Sequence, residues 1–146
     1  MKLSEIQEMW ESDAKIDPLD LSNESLKIPR LHAKYLNVLS SLRLQIRKTE
    51  SDYIRLKKAK QRYYKGEMTK AELESYEWDQ YLGPKLLKAE MQETIDSDDD
   101  TIAILDKLEY LKTQHFQLES ILKSLNGRSF DIRNAIEFQK WTQGVV

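Results

Sequence analysis

Residues 43–65, RLQIRKTESDYIRLKKAKQRYYK, hold nine basic side chains, Arg43, Arg47, Lys48, Arg55, Lys57, Lys58, Lys60, Arg62 and Lys65, against two acids, Glu50 and Asp52. The whole chain has 23 basic and 25 acidic residues, so this window is +7 while everything else sums to −9. Positive charge at that density seeks phosphate, and Tyr63 and Tyr64 at its end add flat aromatic surface. On a helix, at about 100° per residue, Arg43, Arg47, Lys48, Arg55, Lys58, Arg62 and Lys65 share one arc of about 140°, facing away from the apolar seam. Such an arc is ordinarily a solvated face. With almost no acid at i,i+4 it repels itself unless an anion neutralises it. Lys57 and Lys60 fall on the seam itself, beside Tyr53 and Tyr64. Lys60 is either a lysine snorkelling from a helix end or one presented, with Lys57 and Tyr64, toward a groove.

Other chemistry is sparse. His32 and His115 stand far apart with no companion at metal-ligand spacing. Asp96, Asp98 and Asp100 imitate the start of a calcium loop, but Thr101 stands where that loop needs Gly and Lys107 where it needs Glu. No glycine-rich phosphate loop occurs, and two isolated histidines make no Ser/His/Asp grouping. Tyr76, Trp78 and Tyr81 either pack an amphipathic helix or stack on bases. No catalytic residues, metal site or cofactor are expected, and no enzymatic activity.

The elements that must carry the basic face are helical. Four Gly and three Pro in 146 residues leave few turns, and the mix of about 40% hydrophobic with 33% charged residues is that of bundles and coiled coils. The absence of cysteine excludes disulfides and thiolate metal sites. No signal peptide or membrane-length apolar run is read, which fits a soluble intracellular protein. A first helix is expected over 5–13, capped by Ser4 with Gln7 as in a capping box. Asp17-Pro18 breaks it, and Leu19 and Leu21 are expected to anchor an extended connection. A long helix follows, with Pro29 in its first turn. Its seam, Leu31, Tyr35, Val38, Leu42, Ile46, Thr49, Tyr53 and Leu56, steps by three and four up to Gly66. Thr69 and Glu72 open a short helix through Leu73, Tyr76 and Trp78, and Gly83-Pro84 is a turn. A helix over 86–95 and another over 101–126 follow, the latter broad in its apolar coverage; Asn126-Gly127 either ends it or kinks it. A last helix, 130–141, has two apolar faces: Ile132, Ala135 and Ile136 on one, Phe130, Phe138 and Trp141 on the other. Two faces near a chain end suit sharing with a neighbouring subunit. The expected architecture is all-α: one helical domain of three segments, 1–66, 67–97 and 98–146, the last oligomerising through Leu118, Leu122, Leu125, Phe130, Ile132, Ile136, Phe138 and Trp141.

Several segments together resemble the UvsY family, the recombination mediators of T-even-like bacteriophages. They are Ile16-Asp17, KYLN at 34–37, Lys58-Ala59-Lys60, Tyr63-Tyr64-Lys65-Gly66, Lys88-Ala89-Glu90-Met91, and RSFDIRNAIEF at 128–138. The specificity lies in their order and spacing, since none is a catalytic fingerprint. The resemblance implies a protein that binds single-stranded DNA and helps a RecA-like phage recombinase replace single-stranded DNA-binding protein, in the cytoplasm of the infected bacterial host. It implies a ring-like homo-oligomer of roughly six to eight subunits. The family's Lys-Ala-Arg motif maps onto Lys58-Ala59-Lys60, with lysine in place of arginine, which gives up bidentate geometry. The DNA-binding residues expected are Arg55, Lys57, Lys58, Lys60, Arg62, Tyr63, Tyr64 and Lys65. The alternative is a coiled-coil adaptor that binds no DNA.

Overall fold

Because so little interrupts the chain, two of its helices run 44 residues each. The computed structural model describes residues 1–144, which form α1 (Leu3–Asp13), α2 (Leu21–Tyr64), α3 (Lys70–Tyr76), α4 (Lys88–Asp96) and α5 (Asp99–Thr142), with no strand among them. The all-α expectation holds.

Local chemistry sets the helix ends, and several lie elsewhere than expected. In α1 the Glu5 carboxylate reaches back to accept the backbone N–H of Lys2 at 2.6 Å, so Lys2 is the N-cap and Ser4 lies inside the helix. The Asp17 carboxylate accepts the Leu19 N–H at 2.9 Å, and the Asp20 N–H bonds the Asp17 carbonyl. That turn launches α2 at Leu21, so Pro29 sits two turns inside the helix instead of opening it. The ring removes one helical bond, and Ser25 and Pro29 are both exposed, where water can compensate. Leu19 anchors nothing and is exposed, while Leu21 is buried as the first residue of α2.

The expected seam of α2 is borne out: none of its eight residues from Leu31 to Leu56 is exposed. The helix ends in a Schellman motif. Gly66 takes φ +71°, its N–H bonds the Tyr63 carbonyl, and the Glu67 N–H bonds the Arg62 carbonyl. Thr69 caps α3 as expected, accepting the Glu72 N–H at 3.2 Å. That helix stops at Tyr76, because Glu77 adopts a left-handed conformation and turns Trp78 out of the helix. Helix α5 runs through Asn126-Gly127 without a break, so the expected separate helix over 130–141 is its continuation. Leu125, Arg128 and Ile132 are all buried around the glycine and hold the helix in register there.

The chain forms two units. The first comprises Met1–Gln45 and the residues from Leu111 onward; the second is Ile46–Tyr110. The core of the first joins Ile6, Leu21, Tyr35, Leu39 and Leu42 to Leu111, Leu118, Ile121, Leu122, Leu125 and Ile132. Trp10 meets Tyr35 edge-on at 5.6 Å, and the Asp13 carboxylate accepts both the Tyr35 hydroxyl (2.8 Å) and the Lys34 ammonium (2.6 Å). Arg128 falls within the apolar series of α5 and is only 4% exposed. Its guanidinium donates to the carbonyls of Asp13 (2.8 Å) and Lys15 (3.0 Å) and lies 3.7 Å from the buried Glu24 carboxylate. It thereby ties the end of α1 to α2 and α5. The resemblance segments KYLN and RSFDIRNAIEF therefore contain structural polar residues, Lys34, Tyr35 and Arg128. Replacing Arg128 with Ala leaves the Asp13 and Lys15 carbonyls without their donor and the buried Glu24 carboxylate with only the exposed Lys27, 2.9 Å away; a loss of about 2–4 kcal/mol is expected in urea unfolding, and a loss below about 1 kcal/mol would show that Arg128 does not tie these elements together.

Candidate nucleic-acid interface

The second unit contains the end of α2, where the sequence concentrates its positive charge. Periodicity carries position 60 into the interior, so its lysine must find counter-charge there. Lys60 is 4% exposed. Its ammonium lies 3.1 Å from Asp98 and 2.8 Å from Asp100, and 4.0 Å over the Trp78 ring. Asp98 holds this position because it caps α5: its carboxylate accepts the Asp100 N–H at 2.9 Å. Its other oxygen accepts the Tyr64 hydroxyl at 2.6 Å. Burial alone would raise the Asp98 pKa, but the hydrogen bonds from Tyr64, Lys60 and the Asp100 backbone, together with the Lys60 charge, outweigh it and hold the value below normal. Burial and the Asp98 carboxylate push the Tyr64 phenol upward, so it stays a donor.

The tyrosine pair is part of the same assembly. Tyr63 meets Tyr64 at 5.0 Å, Trp78 at 5.4 Å and Tyr81 at 5.8 Å between ring centroids. Trp78 also stacks on Tyr76 at 4.4 Å. Arg62 pairs with Glu72 of α3, one contact being 3.1 Å, and donates to the Glu67 carbonyl. That pairing raises the Arg62 pKa and lowers that of Glu72.

The expected site residues therefore separate. Lys60, Arg62, Tyr63 and Tyr64 face partners in their own unit, and Lys57 is half-buried. Of the two readings of Lys60, neither describes it: it is the cation of a buried ion pair. Arg55, Lys58 and Lys65 are exposed, as are Arg47 and Lys48 on the same helix. Arg47 and Arg55 have only loose carboxylate neighbours, Glu50 at 3.9 Å and Asp52 at 3.7 Å. Sequence reasoning missed Asp98, Asp100 and Trp78 as partners of Lys60; the signal available was a lysine on a seam and a run of acids at a helix start. In the first unit, Leu118, Leu122, Leu125 and Ile132 are core residues and Ile136 is half-buried, so the first four have no area left for a second copy. Phe130, Phe138 and Trp141 are 62%, 65% and 76% exposed.

The described chain is all-helical, with exposed cations along one face of α2 beside an internally neutralised lysine. Among the described residues no group of three or more His, Cys, Asp or Glu could hold a metal ion, and no helix is long and apolar enough to cross a membrane. The chain belongs to the UvsY family: the family model described as "Recombination, repair and ssDNA binding protein UvsY" matches residues 9–145. It is 24% identical over 144 residues to the "Recombination protein uvsY" of Enterobacteria phage T4, covering 99% of each chain. Two crystal structures of the bacteriophage T4 recombination mediator protein UvsY superpose on it. Lattice type II gives a TM-score of 0.84 at 23% identity over 98% of both chains. Lattice type I gives 0.82 at 22% identity over 94% of this chain and 98% of that one. At these identities the superpositions establish the shared all-α fold.

The two lysines of the Lys58-Ala59-Lys60 segment are expected to behave differently. Lys60→Ala should cost about 2–4 kcal/mol in urea unfolding, because it leaves Asp98 without its cation. Lys58→Ala should stay within about 0.5 kcal/mol of the parent. The Lys60 contribution should be complete above the ordinary Asp pKa of about 4 and should vanish as pH falls through the lower folded value of Asp98. Equal losses for the two variants at neutral pH would contradict this assignment.

Proposed function

We propose that this chain binds single-stranded DNA as a recombination mediator, with Arg47, Lys48, Arg55 and Lys58 on α2 and Lys65 just after its end as the phosphate contacts. The observation that carries this reading is the division of charge at the end of α2. Lys60 and Arg62 are neutralised by carboxylates of their own unit, whereas the exposed cations have weak partners or none. A face of cations with few and loose partners is stabilised by an anion of extended, regular charge, and membership of a family described by single-strand binding supports single-stranded DNA as that anion. Lys60, Tyr63 and Tyr64 act indirectly, by fixing the end of the helix that bears the contacts. Lysine at position 60 in place of the family's arginine is consistent with such a role, since two separate carboxylates suit a compact ammonium.

The mediator role assigns further partners: a RecA-like phage recombinase that is loaded, and a single-stranded DNA-binding protein that is displaced, in the host cytoplasm. Assembly into a homo-oligomer would place several copies of the α2 face on one strand, so that avidity supplies affinity a few phosphate contacts cannot. Phe130, Phe138 and Trp141 support that assembly: they lie within about 80° on the helix wheel of α5, and their exposed rings form an apolar face. Ile136, half-buried, lies on the opposite face with Ile132 and the buried leucines, so it does not extend this patch.

Two measurements test this reading. In fluorescence-anisotropy titrations with an oligonucleotide, log K should fall linearly with log salt, and Arg55→Ala with Lys58→Ala should lower that slope by about 1.4. Unchanged binding in the double variant would remove these residues from the site, and no binding by the parent protein at moderate salt would favour the adaptor reading. In light scattering, Phe130→Asp with Phe138→Asp should reduce the assembly to smaller species while circular dichroism remains helical. An unchanged mass would place the interface elsewhere.

A further inference from the structure

A groove of about 950 Å³ opens in the second unit where α2 ends. That is at the upper end of the roughly 300–1,000 Å³ typical of ligand clefts. Three lysines line it against one acid, Glu67: Lys65 after α2, Lys85 in the loop that follows Gly83-Pro84, and Lys88 opening α4. All three are exposed, and none forms an ion pair among the described residues. Lys65 and the Lys85/Lys88 pair, at least twenty positions apart in the chain, thus converge without ion-pair partners.

The groove also has an aromatic wall that is held in place. The Tyr64 and Tyr81 rings meet edge-on at 5.1 Å. The Tyr64 hydroxyl is fixed on Asp98, and the Tyr81 hydroxyl donates to the Pro84 carbonyl at 2.8 Å. Tyr81 lies so close over Gly83 that a Cβ there would sit 2.5 Å from its hydroxyl oxygen and 2.6–2.7 Å from its ring atoms, so only glycine admits the side chain in this position. Lys65, one residue past the end of α2, joins the exposed α2 face to the groove. Cations spaced along a trough, beside a fixed aromatic edge, make the arrangement that tracks a nucleic-acid backbone while accepting any base.

We infer that single-stranded DNA leaves the α2 face at Lys65 and continues through this groove, with Lys85 and Lys88 as additional phosphate contacts and Tyr81 as a base contact. The inference rests on the single-strand-binding reading and extends it to residues 81–88, outside the basic segment of the sequence.

The test compares Lys85→Ala/Lys88→Ala with a charge-matched control, Lys112→Ala/Lys123→Ala, both exposed positions on α5 in the first unit. The groove variant should bind an oligonucleotide roughly 3–10-fold more weakly near physiological salt and lower the salt slope by about 1.4, the control by much less. An oligonucleotide carrying 5-iododeoxyuridine, photo-crosslinked to the parent protein and mapped by mass spectrometry, should mark Tyr81. If the groove variant matches the control and crosslinks fall only on α2, the inference is overturned while the single-strand-binding reading stands. If the parent protein does not bind the oligonucleotide, both are overturned.

Discussion

A lysine carried into a helical interior by the periodicity of its own helix must meet counter-charge there, and in the second unit this requirement organises everything around it. Lys60 draws the two acids at the start of α5 onto the end of α2 and takes the Trp78 ring as a third, uncharged partner. Asp98 serves three donors at once: the ammonium, the Tyr64 hydroxyl and the backbone of its own helix. A hydrophobic residue at position 60 would pack with less desolvation, but it would not select this register between the two helices. The pair therefore acts as a positional lock. The tyrosine pair, and through Tyr64 the groove beyond Gly66, is built against it.

Neutralising one cation inside the fold also defines which cations remain outside. The positive charge of α2 reads in sequence as one cluster, yet physically it has two roles. One part holds the helix end in place, and the other lies on the exposed side with only loose carboxylate neighbours or none. The first unit uses the same logic with Arg128, whose planar guanidinium reaches two carbonyls and a buried carboxylate where α1 ends. In both units a buried cation joins segments distant in the chain, which ordinary apolar packing would leave free to slide.

Much of the fold was legible in the residues because local rules govern long helices. The three-and-four spacing from Leu31 to Leu56 fixed the buried side of α2, Gly66 its end, and Thr69 with Glu72 the start of α3. The misplaced boundaries have local physical causes of their own. A proline was read as a helix opener although an aspartate turn started the helix two turns earlier. An Asn-Gly pair reads as a stop or kink, although the helix continues through it between the buried Leu125 and Arg128. Glu77, without a glycine to announce it, ended α3 before Trp78.

By itself the sequence determined the helical class, the amphipathic seams, the concentration of positive charge on one helix and the two apolar faces near the C-terminus, because each follows from neighbours three or four residues apart. Only the tertiary structure decided which charges are free. Whether Lys60 faces water or Asp98, whether Leu118 is core or surface, and whether Lys85 and Lys88 lie near Lys65 depend on which distant segments pack together. The basic run is continuous in the chain; in the folded unit it divides into cations already paired and cations still available to an anion.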